Sequence, residues 1–157
     1  MKTILKPSQI AMLAGGVIVF LFSFFNFVSS PIGDDGFNGW SGDYLFPLSA
    51  FPALFALIVA GTTAAVLFGN VSLPEPIVSF NWRQLNFILA FTALVILVGL
   101  LLSTPEGVDL GIGLIISLLG GIAMLGGAVM ELLGINVGGA ASTGGSTQAP
   151  GGPSTSF

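Results

Sequence analysis

Four long stretches without a charged residue limit what this chain can fold into. Each contains about 18 or more mostly apolar residues, the length that an α-helix needs to cross ~30 Å of hydrocarbon. Charged residues make up 6% of the chain, whereas an ordinary soluble domain has about a quarter, so these helices would lack a polar face. The sequence therefore predicts an all-α polytopic membrane protein. The charge-free stretches are 7–33, 44–74, 84–105 and 110–130.

Each stretch is predicted to form one transmembrane helix of a four-helix bundle. Ser8 suits an N-cap of the first helix, and Pro52 suits the first turn of the second, where N–H groups lack helical partners. A cleaved signal peptide is the alternative for the first stretch, but the apolar run 10–28 exceeds the ~7–15 residues of a signal-peptide core. We expect spans at about 8–28, 48–68, 85–102 and 110–135, within a transmembrane domain over residues 1–135.

The remaining residues, 136–157, differ from the rest in composition. They are mainly Gly, Ser, Thr, Ala and Pro, and they carry no charge. Such a segment has too little apolar surface to offset the entropy lost on ordering. We predict a disordered tail.

The basic residues predict how the bundle is oriented. Lys2 and Lys6 precede the first span, and Arg83 lies between the second and third. The two other loops contain only acidic charges. Because cytoplasmic loops retain Lys and Arg, both termini are expected on the cytoplasmic side.

A repeated glycine marks one face of the fourth span. Gly113, Gly120 and Gly127 recur at seven-residue intervals, and with Ser117 they lie within about 40° of one line on an ideal helix. Helices in lipid associate through close packing, so this face predicts a helix–helix contact, and the period keeps the contact aligned along the pair. We favour the second span as the partner, with the fourth span of a second copy as the alternative. The small residues of the second span are Ala56, Ala60 and Ala64.

Glu131 is the one charged residue of the fourth span and shares its glycine face. An ionisable residue in a span is a functional candidate by default. Glu131 falls in the last two turns, however, near the expected level of Arg83 and Lys6. We expect a structural carboxylate or an ion pair, and a role in handling protons or ions is the alternative.

The composition argues against several kinds of chemistry. The chain has neither cysteine nor histidine, which removes the commonest metal ligands and the commonest general base. Loop 34–43 matches a calcium-binding EF-hand poorly, because Gly36 and Leu45 occupy ligand positions. We expect no catalytic residues, no cofactor-binding residues and no metal site. Three basic residues cannot form a nucleic-acid surface.

Three features together resemble a known family. They are "FLFSFFNF" at the end of the first span, "SGDYLFPL" before the second, and the uncharged tail from Gly138. In this layout the chain is similar to small four-span membrane proteins of actinobacteria, including the mycobacterial antigen family of unknown function with a low-complexity tail. The resemblance implies a bacterial multi-pass plasma-membrane protein without an assigned enzymatic activity.

The sequence favours one function over two others. The favoured hypothesis is a non-catalytic integral membrane protein, a structural or accessory subunit that packs with itself or with a larger membrane complex. The alternative is a small transporter, or an ion- or proton-conducting subunit, that uses Glu131. A membrane enzyme is the weakest hypothesis, because no span offers two cooperating titratable groups. The expected partners are the lipid bilayer and other membrane subunits or a second copy.

Overall fold

The computed structural model describes residues 6–29, 36–42, 45–69, 81–104 and 107–135. The predicted tail and the acidic residues Asp34, Asp35 and Asp43 lie outside these ranges. Within them the chain is mostly helical, consistent with an all-α membrane protein, although it also contains three short strands. The elements are α1 (Pro7–Phe22), β1 (Asn26–Ser29), β2 (Gly36–Asn38), α2 (Phe51–Phe68), α3 (Trp82–Leu102), β3 (Asp109–Leu110) and α4 (Ile112–Leu132).

Helices α2, α3 and α4 are long and apolar enough to cross a membrane. Helix α1 is also apolar but has 16 residues, which corresponds to a rise of ~24 Å. Large apolar side chains point away from the bundle, with Phe68 72% exposed and Leu119 61% exposed. A soluble monomer rarely exposes a large contiguous apolar surface, so these helices suggest a membrane protein.

Helix α1 ends at Phe22. The prediction that the helix of the first span continues to about 28 was therefore wrong by six residues. The Ser23 hydroxyl donates to the Phe20 carbonyl at 2.6 Å and accepts the indole N–H of Trp40 at 2.9 Å. The N–H of Gly39 donates to the Ser23 carbonyl at 3.0 Å. These long-range partners stop the helix, and apolar composition alone does not reveal them.

The start of α1 also differs from the expectation. Lys6 is the N-cap residue, in extended conformation, and its N–H donates to the Gln9 side chain at 3.2 Å. Pro7 occupies the first helical position, where its missing N–H costs little. The predicted N-cap, Ser8, is instead inside the helix and buried.

Helix α4 ends before the predicted boundary at 135 because of Gly134. This residue has φ +67°, and its N–H donates to the Glu131 carbonyl at 3.3 Å. The N–H of Ile135 donates to the Met130 carbonyl at 2.9 Å, which completes a Schellman C-cap. Gly134 continues the seven-residue period in sequence but serves to terminate the helix.

The three strands form a small antiparallel sheet in the order β2-β1-β3. Val28 pairs with Phe37 on one side and with Leu110 on the other. The Gly111 N–H adds a bond of 2.8 Å to the Phe27 carbonyl. The sheet thereby joins the end of α1 to the start of α4 and sets the two helices side by side.

The four helices pack in a ring in which α1 contacts α4 and α2, and α3 contacts the same two. The core contains small side chains beside larger ones, so the helices approach closely. Its fully buried members include Met12, Val59, Ala90, Leu97 and Met124.

Candidate functional site

The contact between α1 and α4 is made by backbone as much as by side chains. A Cβ added at Gly15 would lie 2.5 Å from the Gly120 carbonyl oxygen and 2.5 Å from the Met124 nitrogen. A Cβ at Gly120 would lie 2.8 Å from Ile18 Cγ2 and 3.0 Å from the Gly15 oxygen. Both positions therefore need glycine, because the neighbouring atoms are too close for any side chain.

The same close approach continues to both ends of α4. At one end, a Cβ on Gly127 would lie 2.5 Å from the Ser8 oxygen and 2.8 Å from the Met12 nitrogen. At the other end, a Cβ on Gly113 would lie 2.6 Å from the Phe25 oxygen. We call this line of contact, formed by Gly113, Ser117, Gly120 and Gly127 of α4 against α1, the glycine seam.

The expectation that the second span receives the glycine face was wrong. The residues packed on the three glycines belong to α1 and to the chain just after it, and α4 has α1 and α3 as its main neighbours. The physical reason is the sheet, since β1 and β3 bring the end of α1 to the start of α4.

The small face of α2 packs on α1 as well. Ala56 and Ala60 are buried, and a Cβ on Gly16 would lie 2.8 Å from the Ala56 oxygen and 3.0 Å from the Ala60 Cβ. Ala64, the third member of the predicted face, is half-buried. Adjacent residues Gly15 and Gly16 thus let α1 approach two helices at once.

Ser117 lies in the middle of the seam and is fully buried. Its hydroxyl has no hydrogen-bond partner among the residues that the structure describes. An unpaired buried hydroxyl costs ~1–3 kcal/mol. The Ser117 side chain is small enough to fit the seam, but its unpaired hydroxyl adds no stabilising hydrogen bond there.

The polar side chains between the spans are mostly paired with their own helix or its neighbour. The Thr62 hydroxyl lies 2.9 and 3.1 Å from the carbonyl oxygens of Ile58 and Val59 in its own helix, and 3.2 Å from Asn86 Oδ1 of α3. The Thr63 hydroxyl donates to the Val59 carbonyl at 2.7 Å. These bonds satisfy polar atoms that lipid could not satisfy.

Glu131 lies at the end of the bundle where α1 and α3 begin. It is half-buried, and it lines a cavity of about 190 Å³ that Lys6 and Arg83 also line. Lys6 and Arg83 are both exposed. Glu131 and Arg83, the residues of the predicted ion pair, thus line one cavity together with Lys6, and their pairing stays a prediction.

Groups of three or more potential metal ligands are absent from the described ranges. Comparison of the chain with protein-family models, with curated proteins and with solved structures finds no match. The function must therefore be inferred from the geometry of the chain itself.

Two functional positions escaped the sequence argument. Gly15 and Gly16 of α1 complete the contacts to α4 and α2, and a paired glycine inside an apolar helix is the signal that could have identified them. The strands were also missed, because β1 continues the apolar run of the first span, and β2 and β3 have three and two residues, too few to show an alternating pattern.

Proposed function

We propose that the chain is a four-span plasma-membrane protein with both termini in the cytoplasm. The glycine seam supports α1 as a fourth span despite its length. Backbone contacts with α1 and the residues just after it run from Gly127 to Gly113 of α4, a distance of ~21 Å along the helix axis. Because α4 is itself long enough to cross a membrane, a segment lying along it over that distance crosses most of the same thickness.

We further propose that the protein is non-catalytic and acts as a structural or accessory subunit of a membrane assembly. The observation that carries this proposal is where the described titratable groups lie. Lys6, Arg83 and Glu131 gather at one end of the bundle, and Asp109 lies in β3 at the other. A proton relay of ionisable side chains or an acid–base site would need such groups within the bundle or paired across a reacting centre.

Contacts with another subunit would have to use the outer faces of the helices. The glycine seam is already occupied by α1, so it is not available to a second copy. Gly61, Gly99 and Gly126 instead have no atom within 4 Å of an added Cβ. Gly61 is flanked by Leu57 and Ile58, which are 47% and 45% exposed, and such a hollow between apolar side chains suits an approaching helix.

The test is purification from native membranes in a mild detergent, followed by measurement of the mass of the intact complex. We expect a mass greater than one chain, from a second copy or another membrane subunit. Gly61→Trp should reduce the association, and Gly126→Trp on α4 is the matched control for a bulky outward substitution. A single chain that remains alone at every detergent and protein concentration would contradict the subunit proposal.

A transporter or proton-conducting subunit is the alternative function. The observation in its favour is that Glu131 is half-buried and faces a cavity. Purified protein in sealed vesicles gives the test, with proton and cation flux measured for the wild type and for Glu131→Gln. We expect no flux above that of empty vesicles. A flux that the wild type supports and the variant lacks would favour transport instead.

A further inference from the structure

The cavity beside Glu131 combines charges of both signs. Lys6, Arg83 and Glu131 line it together. Its volume of about 190 Å³ far exceeds the ~10–15 Å³ that one water molecule needs. A small polar group that carries a negative and a positive charge would therefore meet a partner for each.

The basic part of the cavity suits a phosphate. Arg83 presents a planar guanidinium that can bind two phosphate oxygens, and Lys6 adds a compact ammonium. Lys6 caps α1 and Arg83 is the second residue of α3. Both therefore stand at helix N-termini, where the positive end of the helix dipole also favours an anion.

The acidic part of the cavity suits a primary ammonium. A ligand with phosphate alone would satisfy Lys6 and Arg83 and leave the half-buried Glu131 carboxylate facing an anion. An ammonium on the same ligand removes that repulsion and donates a charge-assisted hydrogen bond. The C-terminal end of α4 also favours the ammonium, because the negative end of a helix dipole stabilises a cation.

We propose that this cavity binds the headgroup of an aminophospholipid, with the phosphate between Lys6 and Arg83 and the ammonium on Glu131. The inference rests on the membrane-spanning arrangement proposed above, which brings the ends of the helices to the level of the lipid headgroups. Met130 and Ile135 also line the cavity and offer apolar contact to the lipid backbone and the first acyl carbons.

Native mass spectrometry of the purified full chain tests the proposal. The protein is incubated in detergent with equal amounts of phosphatidylethanolamine, phosphatidylglycerol and phosphatidylcholine that have identical acyl chains, and bound lipids are counted. We expect phosphatidylethanolamine to be retained over the other two by about two- to twelvefold, which corresponds to the ~0.5–1.5 kcal/mol net contribution of a typical hydrogen bond.

Substitutions separate the two halves of the headgroup. Glu131→Gln should abolish the preference for phosphatidylethanolamine while phosphatidylglycerol binding stays the same or rises. Arg83→Gln should weaken the binding of both phosphatidylethanolamine and phosphatidylglycerol. Arg83→Lys keeps the charge but loses the second parallel hydrogen bond, so its binding should fall between those of the wild type and Arg83→Gln. Asp109→Asn, a carboxylate at the other end of the bundle, is the matched control and should change nothing. The midpoint of thermal unfolding for each variant confirms that the protein is folded.

Two further arms identify the source of the headgroup chemistry. Glycerophosphoethanolamine and inorganic phosphate, which lack acyl chains, are added as competitors at millimolar concentration. Retention of the lipid, or its displacement only by a large excess of glycerophosphoethanolamine, supports a membrane lipid as the ligand, because the acyl chains add affinity. Displacement by either compound at a concentration equal to that of the lipid would overturn that assignment in favour of a soluble phosphate compound. Equal retention of all three lipids by the wild type and Glu131→Gln would overturn the inference. Cysteine labelling in cells that shows a chain that does not span the membrane would instead contradict the proposed membrane-spanning arrangement on which the inference rests.

Discussion

Adjacent glycines in α4 provide an internally controlled test of the glycine seam. Gly127 faces α1, where an added Cβ would lie 2.5 Å from the Ser8 oxygen and 2.8 Å from the Met12 nitrogen. Gly126 faces outward and has no atom within 4 Å. Alanine at either position adds the same methyl group to the same helix, and it brings the same gain in helix propensity of ~0.5–1 kcal/mol.

The difference between the two alanine variants therefore measures the packing term alone. To reach an ordinary contact of 3.4 Å from 2.5 Å, the two backbones must separate by 3.4 − 2.5, or about 0.9 Å, and neither is a flexible side chain that can move aside. Overpacking of this kind costs ~1–3 kcal/mol. We expect Gly127→Ala to be less stable than Gly126→Ala by about that amount.

The assay is reversible unfolding in mixed micelles, followed by circular dichroism, for the wild type and both variants. Gly126→Ala should equal the wild type or exceed it in free energy of unfolding. If Gly127→Ala proves as stable as Gly126→Ala, the close approach of α1 and α4 does not exist, and the reasoning from the seven-residue period fails with it.

Three further substitutions test individual contacts by the same assay. Ser23→Ala leaves the Trp40 indole N–H without its acceptor and should cost ~1 kcal/mol, with a shifted tryptophan emission spectrum as an independent readout. Ser117→Ala should leave stability unchanged or raise it by up to ~1 kcal/mol, because the hydroxyl that it removes is buried and unpaired; a loss of stability would indicate that the hydroxyl has a partner. Thr62→Val removes a hydroxyl that lies within hydrogen-bond distance of the Ile58 and Val59 carbonyls as well as of Asn86 Oδ1, and it should cost ~0.6 kcal/mol; no loss at all would show that the contact with Asn86 does not hold α2 to α3.

The helices were predictable because length and apolarity alone define a candidate span. The observed bounds of α2 and α3, Phe51–Phe68 and Trp82–Leu102, lie within three residues of the predicted 48–68 and 85–102. The early start of α3 has a local cause, since Asn81 accepts the Arg83 N–H at 3.3 Å and donates its own N–H to the Gln84 side chain at 3.2 Å. The residues of this cap can be identified in the sequence. The predicted span nevertheless began after Arg83, because Arg83 is charged.

The partner of the glycine face was not predictable from helix patterns, because several helices present small residues. Pairing α4 with α1 depends on β1 and β3, in which Val28 meets Leu110 across 82 positions of sequence. No local pattern specifies such a contact. The gathering of Glu131 with Arg83 and Lys6 was easier to anticipate, because helices that alternate in direction bring the start of α1, the start of α3 and the end of α4 to one end of the bundle.

The orientation of the bundle is the central claim, and cysteine labelling in intact cells tests it directly. The chain has no native cysteine, so Gly42→Cys between α1 and α2 and Ser146→Cys in the tail can each be read without background. Gly42 is exposed, with no atom near an added Cβ, and Ser146 lies outside the described residues. Four spans with cytoplasmic termini predict that an impermeant thiol reagent labels the cysteine at 42 in intact cells and the one at 146 only after permeabilisation. Labelling of both positions in intact cells, or of 146 alone, would contradict the arrangement.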